Sequence, residues 1–487
     1  MNIPFDPASL SLPRRHFIGG DWLEGDEALE LTRPSDGRAI GAIPIADASV
    51  VDHAVTTAAR AQRASGWGSC QPRDRTRALQ RWADLIEAHA DELAALEAVA
   101  STRLISQIPG IDIAITAEQI RFFAEMADKE GGALVPTRDD QLGMIMDEPY
   151  GVVGAITPWN FPISMAGWKL APALAAGNAV VLKPSEMTPF ATLRMAELSV
   201  QAGIPPGLVN VVLGDGRVTG TALTGHAGIG KVSFTGSTLA GSAIMENVAR
   251  SGVKPMTLEL GGKSPQIVFA DADLDLAARC IAGSIMFNAG QACVAGSRVI
   301  VEKCIAEALT DRLLPLMRPQ NPGPSWLAST GYSPAISATQ RDRIDSIVQA
   351  AIAEGAEVLC GGTPLEREGF FYKPTILGAV TSDNPAVTEE IFGPVLTIQG
   401  FTTEEEALAL ADHPTYGLAA GVFTRDLARA IRVTRTLQAG TVWVNRYGRS
   451  RDHILPTGGY KASGIGKDLG REAYHANRRT KSVLIDI

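Results

Sequence analysis

Cys293 stands in the stretch FNAGQACVAGSR at 287–298, surrounded by Ala292, Val294, Ala295, Gly290 and Gly296. A thiol among side chains this small is not walled in by core packing, and its neighbours leave room for a second molecule. Glu259 lies 34 residues upstream in LELGGKSP at 258–265, an apolar and glycine-rich run. A carboxylate is expensive to bury there unless it has a chemical role. The pair points to covalent chemistry, with a thiolate as nucleophile and a carboxylate as base.

Three further segments carry groups suited to such a site. ITPWNFP at 156–162 sets Asn160 between two prolines and two aromatics. An amide held by rigid turns can donate to a developing oxyanion; an Asx-type turn is the structural alternative. KPSE at 183–186 closes a predicted strand at 179–182. Ligands of open α/β sheets bind at the carboxyl ends of strands, which places Lys183 and Glu186 for a cofactor's ribose. An acid there accepts from both ribose hydroxyls and repels a 2′-phosphate, favouring NAD over NADP. FTGSTLAG at 234–241 follows a strand and opens a helix, where backbone amides attract pyrophosphate. Its spacing is not GxGxxG, and a plain strand-to-helix turn explains it equally well.

These segments need a frame to hold them together. Short β-rich runs at 179–182, 209–213 and 231–235 alternate with helical patterns at 188–201 and 239–249. That alternation is the signature of a parallel sheet flanked by helices, a doubly wound nucleotide-binding pattern. A second α/β series follows Glu259, with strands at 266–269, 298–301, 395–400, 419–423 and 441–444. Its helices are predicted at 273–287, 403–411 and 427–437. Before all of these, 77–100 reads as one long amphipathic helix, with Leu79, Trp82, Leu85, Ile86, Leu93 and Leu96 on its apolar side. The tail 482–487 is apolar and β-prone. Left bare it would be an aggregation hazard, so it pairs with another subunit or tucks into its own sheet.

Composition narrows the function classes. A chain of 487 residues is long enough for two or three domains. Five scattered cysteines and seven scattered histidines give no metal spacing and no disulfide framework, so no metal is expected and a reducing cytoplasm is. Charges of both signs are mixed along the chain to a net −9, which leaves no nucleic-acid footprint. No apolar run reaches membrane-spanning length, and no signal-peptide pattern opens the chain.

With EEIFGPV at 389–395 and GGYKASGIG at 458–466, the segments above make the chain resemble the aldehyde dehydrogenase superfamily over essentially its whole length. The resemblance implies a Rossmann-type cofactor domain (1–127 and 149–258), an α/β catalytic domain (259–460) and a β oligomerisation arm (128–148 and 461–487), assembled as a homodimer or homotetramer. It implies that Cys293 attacks an aldehyde to give a thiohemiacetal, with Asn160 and the Cys293 backbone amide as the oxyanion hole. Hydride leaves for the nicotinamide, and Glu259 activates the water that hydrolyses the thioester. Cofactor contacts fall on Thr157, Trp159, Lys183, Ser185, Glu186, Gly236, Ser237, Glu390 and Phe392, and Lys169 matches a position linked with proton exit. Phe161, Trp168, Arg446 and Thr457 fall on the substrate side. The cofactor implied is NAD, with NADP less favoured.

Several positions depart from the pattern. Thr457 replaces a common aromatic of the substrate tunnel. Lys467-Asp468 replaces Arg-Glu, with Asp468 a candidate for proton relay. Arg103-Leu104 replaces Gly-Lys, and reads as a surface or entrance change. Arg446, Arg449 and Arg451 could attract an anionic semialdehyde, of which succinate semialdehyde is an example, although loop arginines usually face water. Two other rivals are a CoA-acylating enzyme and a catalytically silent scaffold on the same fold.

Overall fold

The computed structural model describes residues 6–25, 28–448 and 453–487. Its larger sheet runs, in spatial order, Asp21–Leu23, His16–Ile18, Val209–Val211, Ala179–Lys183, Val152–Ile156, Lys231–Thr235, Met256–Glu259 and Gly464–Ile465. The five strands from Val209–Val211 to Met256–Glu259 are parallel, and the three at the margins are antiparallel. The central strands VVGAI and AVVLK are buried at every position, as a sheet covered on both faces requires.

The order of these strands determines where a ligand can sit. From Val152–Ile156 the chain steps outward through Ala179–Lys183 to Val209–Val211. It then returns to the opposite side of Val152–Ile156 as Lys231–Thr235. The reversal makes a switch point between Val152–Ile156 and Lys231–Thr235, and a crevice opens at the carboxyl ends of strands at such a point. Residues 157–161 and 236–238 leave the sheet at this crevice.

A second sheet has the order Glu357–Cys360, Thr375–Gly378, Val395–Phe401, Arg298–Glu302, Pro265–Val268, Ala419–Phe423 and Thr441–Val444, parallel except for the first strand. Side-chain caps start its helices: Asp273 accepts from the Leu276 amide, Thr403 from Glu406 and Asp426 from Arg429. A three-stranded sheet projects from the body, with Gln141–Pro149 between Ala133–Val135 and Arg478–Asp486. The C-terminal strand pairs with its own chain, in full register from Arg478 opposite Pro149 to Asp486 opposite Gln141. Of the residues from 461 onward, Gly464–Ile465 joins the larger sheet and helix Gly470–Ala476 packs against helix Pro162–Ala175, so the projecting strand starts at Arg478.

Some elements differ from the sequence expectation. The helix expected over 77–100 is two, Pro72–Ala88 and Ala90–Ala100. His89 leaves helical geometry (φ −100°, ψ 23°) and its ring meets Glu92 in the next turn at 2.8 Å. The helix expected from 188 starts at Phe190, because Pro189 takes the capping position, and the strand expected over 209–213 ends at Val211. Among the described residues no helix is long and apolar enough to cross a membrane, and no cluster of His, Cys, Asp and Glu could hold a metal ion.

Candidate active site

Parallel pairing lines up the four segments at one edge of the larger sheet. Ile156 pairs with Lys183 on one side and Phe234 on the other, and Thr235 pairs with Glu259. Backbone bonds carry the ladder past the strand ends, from the Thr157 amide to the Lys183 carbonyl (3.1 Å) and from the Gly236 amide to the Glu259 carbonyl (3.0 Å). Asn160, Lys183, Gly236 and Glu259 therefore lie along one edge because the strands before them are in register.

The cysteine arrives from the second sheet. Asn288 and Ala289 have left-handed backbones (both φ 51°), and Gly290 follows at φ 71°. A side chain on Gly290 would strike the Gly393 carbonyl, its Cβ only 2.1 Å away, so the turn into the cysteine loop requires glycine. Gly262 is needed for a related reason, since a Cβ there would lie 2.6 Å from the Cys293 carbonyl. The glycines around Cys293 thus serve backbone close approach. Gln291 fixes the loop: its amide donates to the carbonyls of Asn288 and Pro334 (both 2.9 Å), and its Oε1 accepts from the Ile336 amide (2.9 Å). Tyr447 adds a hydroxyl bond to the Val294 carbonyl at 2.8 Å.

Asn160 joins the two halves. Its Nδ2 donates to the Gln291 carbonyl at 3.0 Å, two residues before the cysteine, and Asn288 donates back to the Asn160 carbonyl at 3.0 Å. The side chain is not turned in on its own backbone as an Asx turn would have it. A primary amide has two N–H donors, and one of them fixes the side chain to the cysteine loop.

One cavity of about 1030 Å³ is lined by Trp159, Asn160, Phe161, Trp168, Gly236, Ser237, Cys293, Glu390, Phe392, Arg446 and Thr457. Glu259, 5% exposed, lies at its sheet edge, while Leu260 and Gly261 face the cavity. Lys169 is buried behind and ion-paired with Asp468. Thr157, Lys183, Ser185 and Glu186 lie outside the cavity lining, on the side of strand Ala179–Lys183. Lys183 is buried, bonds Glu186 at 3.4 Å, and burial lowers its pKa. Arg446 is exposed and bonds the Gly448 carbonyl at 3.2 Å; Arg449 and Arg451 lie outside the described residues.

The cofactor-side residues fit a dinucleotide. Ser237 caps helix Thr238–Ser251, so the first-turn amides open at the switch point. The buried hydroxyls of Thr157 and Thr235 have no hydrogen-bond partner among the described residues. Trp159 and Phe392 meet edge to face at 5.3 Å, with Phe392 held at φ 54°. Glu390 accepts from the Gly262 amide at 2.9 Å, and burial pushes its carboxyl up to about 6.

Arg103 and Leu104 correct the sequence expectation. They are buried, at 0% and 3% exposed, rather than at a surface or entrance, because Asp112 supplies a matching charge inside. Of the other cysteines, Cys304 is exposed and Cys280 lines the cavity. Sequence reasoning also missed Lys231, buried beside Lys169 and Asp468, whose pKa burial lowers to about 7. Its only sequence signal was a lysine opening the strand KVSFT.

The aldehyde dehydrogenase family model matches residues 22–483. The aldehyde dehydrogenase of Davidiella tassiana is 42% identical over 475 residues, covering 97% of this chain and 95% of that one. Cytosolic 10-formyltetrahydrofolate dehydrogenase of Xenopus tropicalis is 40% identical over 486 residues, 98% of this chain but 54% of the relative, so the chain spans about half the length of that protein. Among solved structures, a P. syringae indole-3-acetaldehyde dehydrogenase in complex with NAD+ and IAA superposes with a TM-score of 0.96 at 39% identity, covering 99% of this chain and 98% of that one. Betaine aldehyde dehydrogenase from Staphylococcus aureus in complex with NAD+ gives 0.95 at 36%, covering 99% and 97%.

Proposed function

The chain belongs to the aldehyde dehydrogenase family, and from that premise we propose that it oxidises an aldehyde to a carboxylic acid with NAD, by the hydrolytic route. The observation that carries this reading is the bond from Asn160 to the Gln291 carbonyl, which fixes an oxyanion donor to the loop of Cys293. The Cys293 thiolate attacks the aldehyde carbon, and the oxygen takes up charge against the second N–H of Asn160 and the Cys293 backbone amide. NAD, when bound, accepts the hydride. Trp159, Gly236, Ser237, Glu390 and Phe392 would hold the cofactor in the cavity, and Thr157, Lys183, Ser185 and Glu186 would contact its adenosine portion. Glu259 takes a proton from the water that attacks the thioester, and Lys169 with Asp468 lies behind it as the path for that proton. The base favours water over CoA as acyl acceptor, and the intact Cys293, Glu259 and Asn160 speak against a silent scaffold. An aldehyde panel run with NAD, NADP and CoA tests this reading. It expects NADH and free acid without CoA; CoA-dependent product, or no reduced cofactor, would overturn it.

Arg446 supports a second reading for the substrate, since its side chain lies on the cavity wall. An anionic semialdehyde would pair with its guanidinium, whereas Thr457 widens the tunnel for neutral aldehydes as well. Comparing kcat/KM for succinic semialdehyde and a neutral aldehyde of equal length, before and after Arg446→Ala, decides between them. No preference for the anion, or no loss on substitution, would leave the neutral class. For assembly, the projecting sheet leaves strand Arg478–Asp486 at an edge with Leu484 and Ile485 exposed, which supports self-association as a homodimer or homotetramer. A cytoplasmic location fits the five free cysteines.

A further inference from the structure

Arg103 follows helix Ala90–Ala100 and is completely buried. Its Nε donates to both carboxylate oxygens of Asp112 (3.1 and 3.3 Å) and its Nη2 to one of them (2.9 Å), the fork geometry that guanidinium forms with carboxylate. Its Nη1 has no hydrogen-bond partner among the described residues. The guanidinium carbon instead lies 4.9 Å from the ring centre of Phe161 and 4.5 Å from that of Phe287, within cation–π range of both. These two rings are nearly parallel (19°), with centres 5.7 Å apart, and both face the cavity that holds Cys293.

Each ring belongs to one half of the site. Phe161 follows Asn160, and Phe287 opens the turn into the cysteine loop. The neighbouring Thr102 reaches the same two segments, its hydroxyl donating to Asn288 Oδ1 at 2.6 Å while Asn288 donates to the Asn160 carbonyl. Glu97 completes the cluster by accepting from the Ile163 amide at 3.1 Å, at the start of the helix that carries Trp168 and Lys169. Burial pushes the Glu97 carboxyl well above its ordinary range, and the Asp112 charge adds to this. One guanidinium, one carboxylate and one carboxyl held toward its neutral form leave no net charge to recruit an anionic substrate. What the cluster supplies is rigidity. A glycine at 103 could make none of these contacts.

We propose that Arg103 is a positioning residue for the acyl-forming step: laid across Phe161 and Phe287 and anchored by Asp112, it holds Asn160 and the aromatic wall so that the aldehyde carbon is presented to Cys293. This rests on the function proposed above. Lysine at 103 keeps the charge but loses the planar fork that grips carboxylate and rings together. Methionine keeps an unbranched apolar stem and loses both.

Stopped-flow NADH bursts with acetaldehyde and phenylacetaldehyde, NAD affinity by fluorescence quenching, and melting temperature are measured for the parent, Arg103→Lys and Arg103→Met. The burst rate constant is expected to fall by about tenfold or more in Arg103→Lys, toward the roughly hundredfold that a misplacement near 1 Å can cost, with KM for aldehyde raised and NAD affinity within about twofold of the parent. Arg103→Met should fall further; if it does not fold, the lysine variant decides. A parental burst rate in folded Arg103→Lys would overturn the brace alone. So would a loss that tracks NAD affinity and melting temperature together, which marks a general structural role. No NADH from the parent with any aldehyde would overturn the functional reading and the brace with it.

Discussion

Lys169 and Asp468, 299 residues apart in sequence, form an ion pair inside the protein with both side chains almost wholly shielded from water. Asp468 is also held through its backbone, exchanging amide bonds with Thr457 at 2.6 and 2.8 Å. The wall of the cavity that Cys293 lines and the charge partner of Lys169 are thus one piece of structure. Removing one member of a buried pair leaves the other charge uncompensated, at a cost of about 3–5 kcal/mol. Asp468→Asn should lower the melting temperature by several degrees, measured by calorimetry. Asp468→Glu, which restores the charge on one more methylene, should recover part of the loss. Equal stability in all three proteins would show that the pair carries no such energy.

Glu390 supplies a pH dependence. Burial raises its carboxyl to about 6, so it is ionised above that pH and neutral below it. In the cofactor role proposed for it, its carboxylate would accept hydrogen bonds from a ribose hydroxyl. NAD affinity should therefore be full above pH 6 and weaken as the pH falls through it. Glu390→Gln should bind NAD more weakly at pH 8, by about tenfold, and lose that pH step. Titration by tryptophan fluorescence between pH 5 and 8 checks both points, and an unchanged step in the variant would assign it to another group.

Glu186 is expected to discriminate between cofactors. Its carboxylate is partly exposed beside Lys183, where a 2′-phosphate would meet like charge. Glu186→Ser should raise kcat/KM for NADP by about tenfold or more, while that for NAD falls. Steady-state kinetics with both cofactors measures the ratio, which should move by at least an order of magnitude.

How much of this was readable beforehand differs between fold and site. Strand Ala179–Lys183 was visible because a sheet buried on both faces writes continuous apolar runs, whereas VVGAI at 152–156, just as apolar, was not read as a strand. Asn160, Gly236 and Cys293 each stood in a segment singled out by its residue types, but local composition left plain turns open at the first two, and only the segments taken together carried the resemblance that assigned their roles. The break at His89 was not visible, because apolar periodicity continues across it and only backbone dihedrals record it. Arg103 was misplaced for a general reason. An arginine is assigned to the surface unless its counter-charge is known, and Asp112 lies in the π-helical turn Pro109–Ile113, which no sequence periodicity links to it. Lys169–Asp468 is a contact across 299 residues, and single-sequence patterns carry no information about such pairs.

The central claim is that Cys293 carries the acyl group and that Glu259 releases it. Glu259→Gln removes the base while keeping the shape, and general-base loss slows a step by ~10²–10⁴-fold. Incubated with NAD and an aldehyde, this variant should give one NADH per site in a burst and then nearly stop. Peptide mass mapping of the quenched protein should place the acyl group on Cys293. Cys280, which lines the same cavity, serves as the internal control. Acylation of Cys280 instead, or sustained NADH production with Cys293 unmodified, would contradict the account.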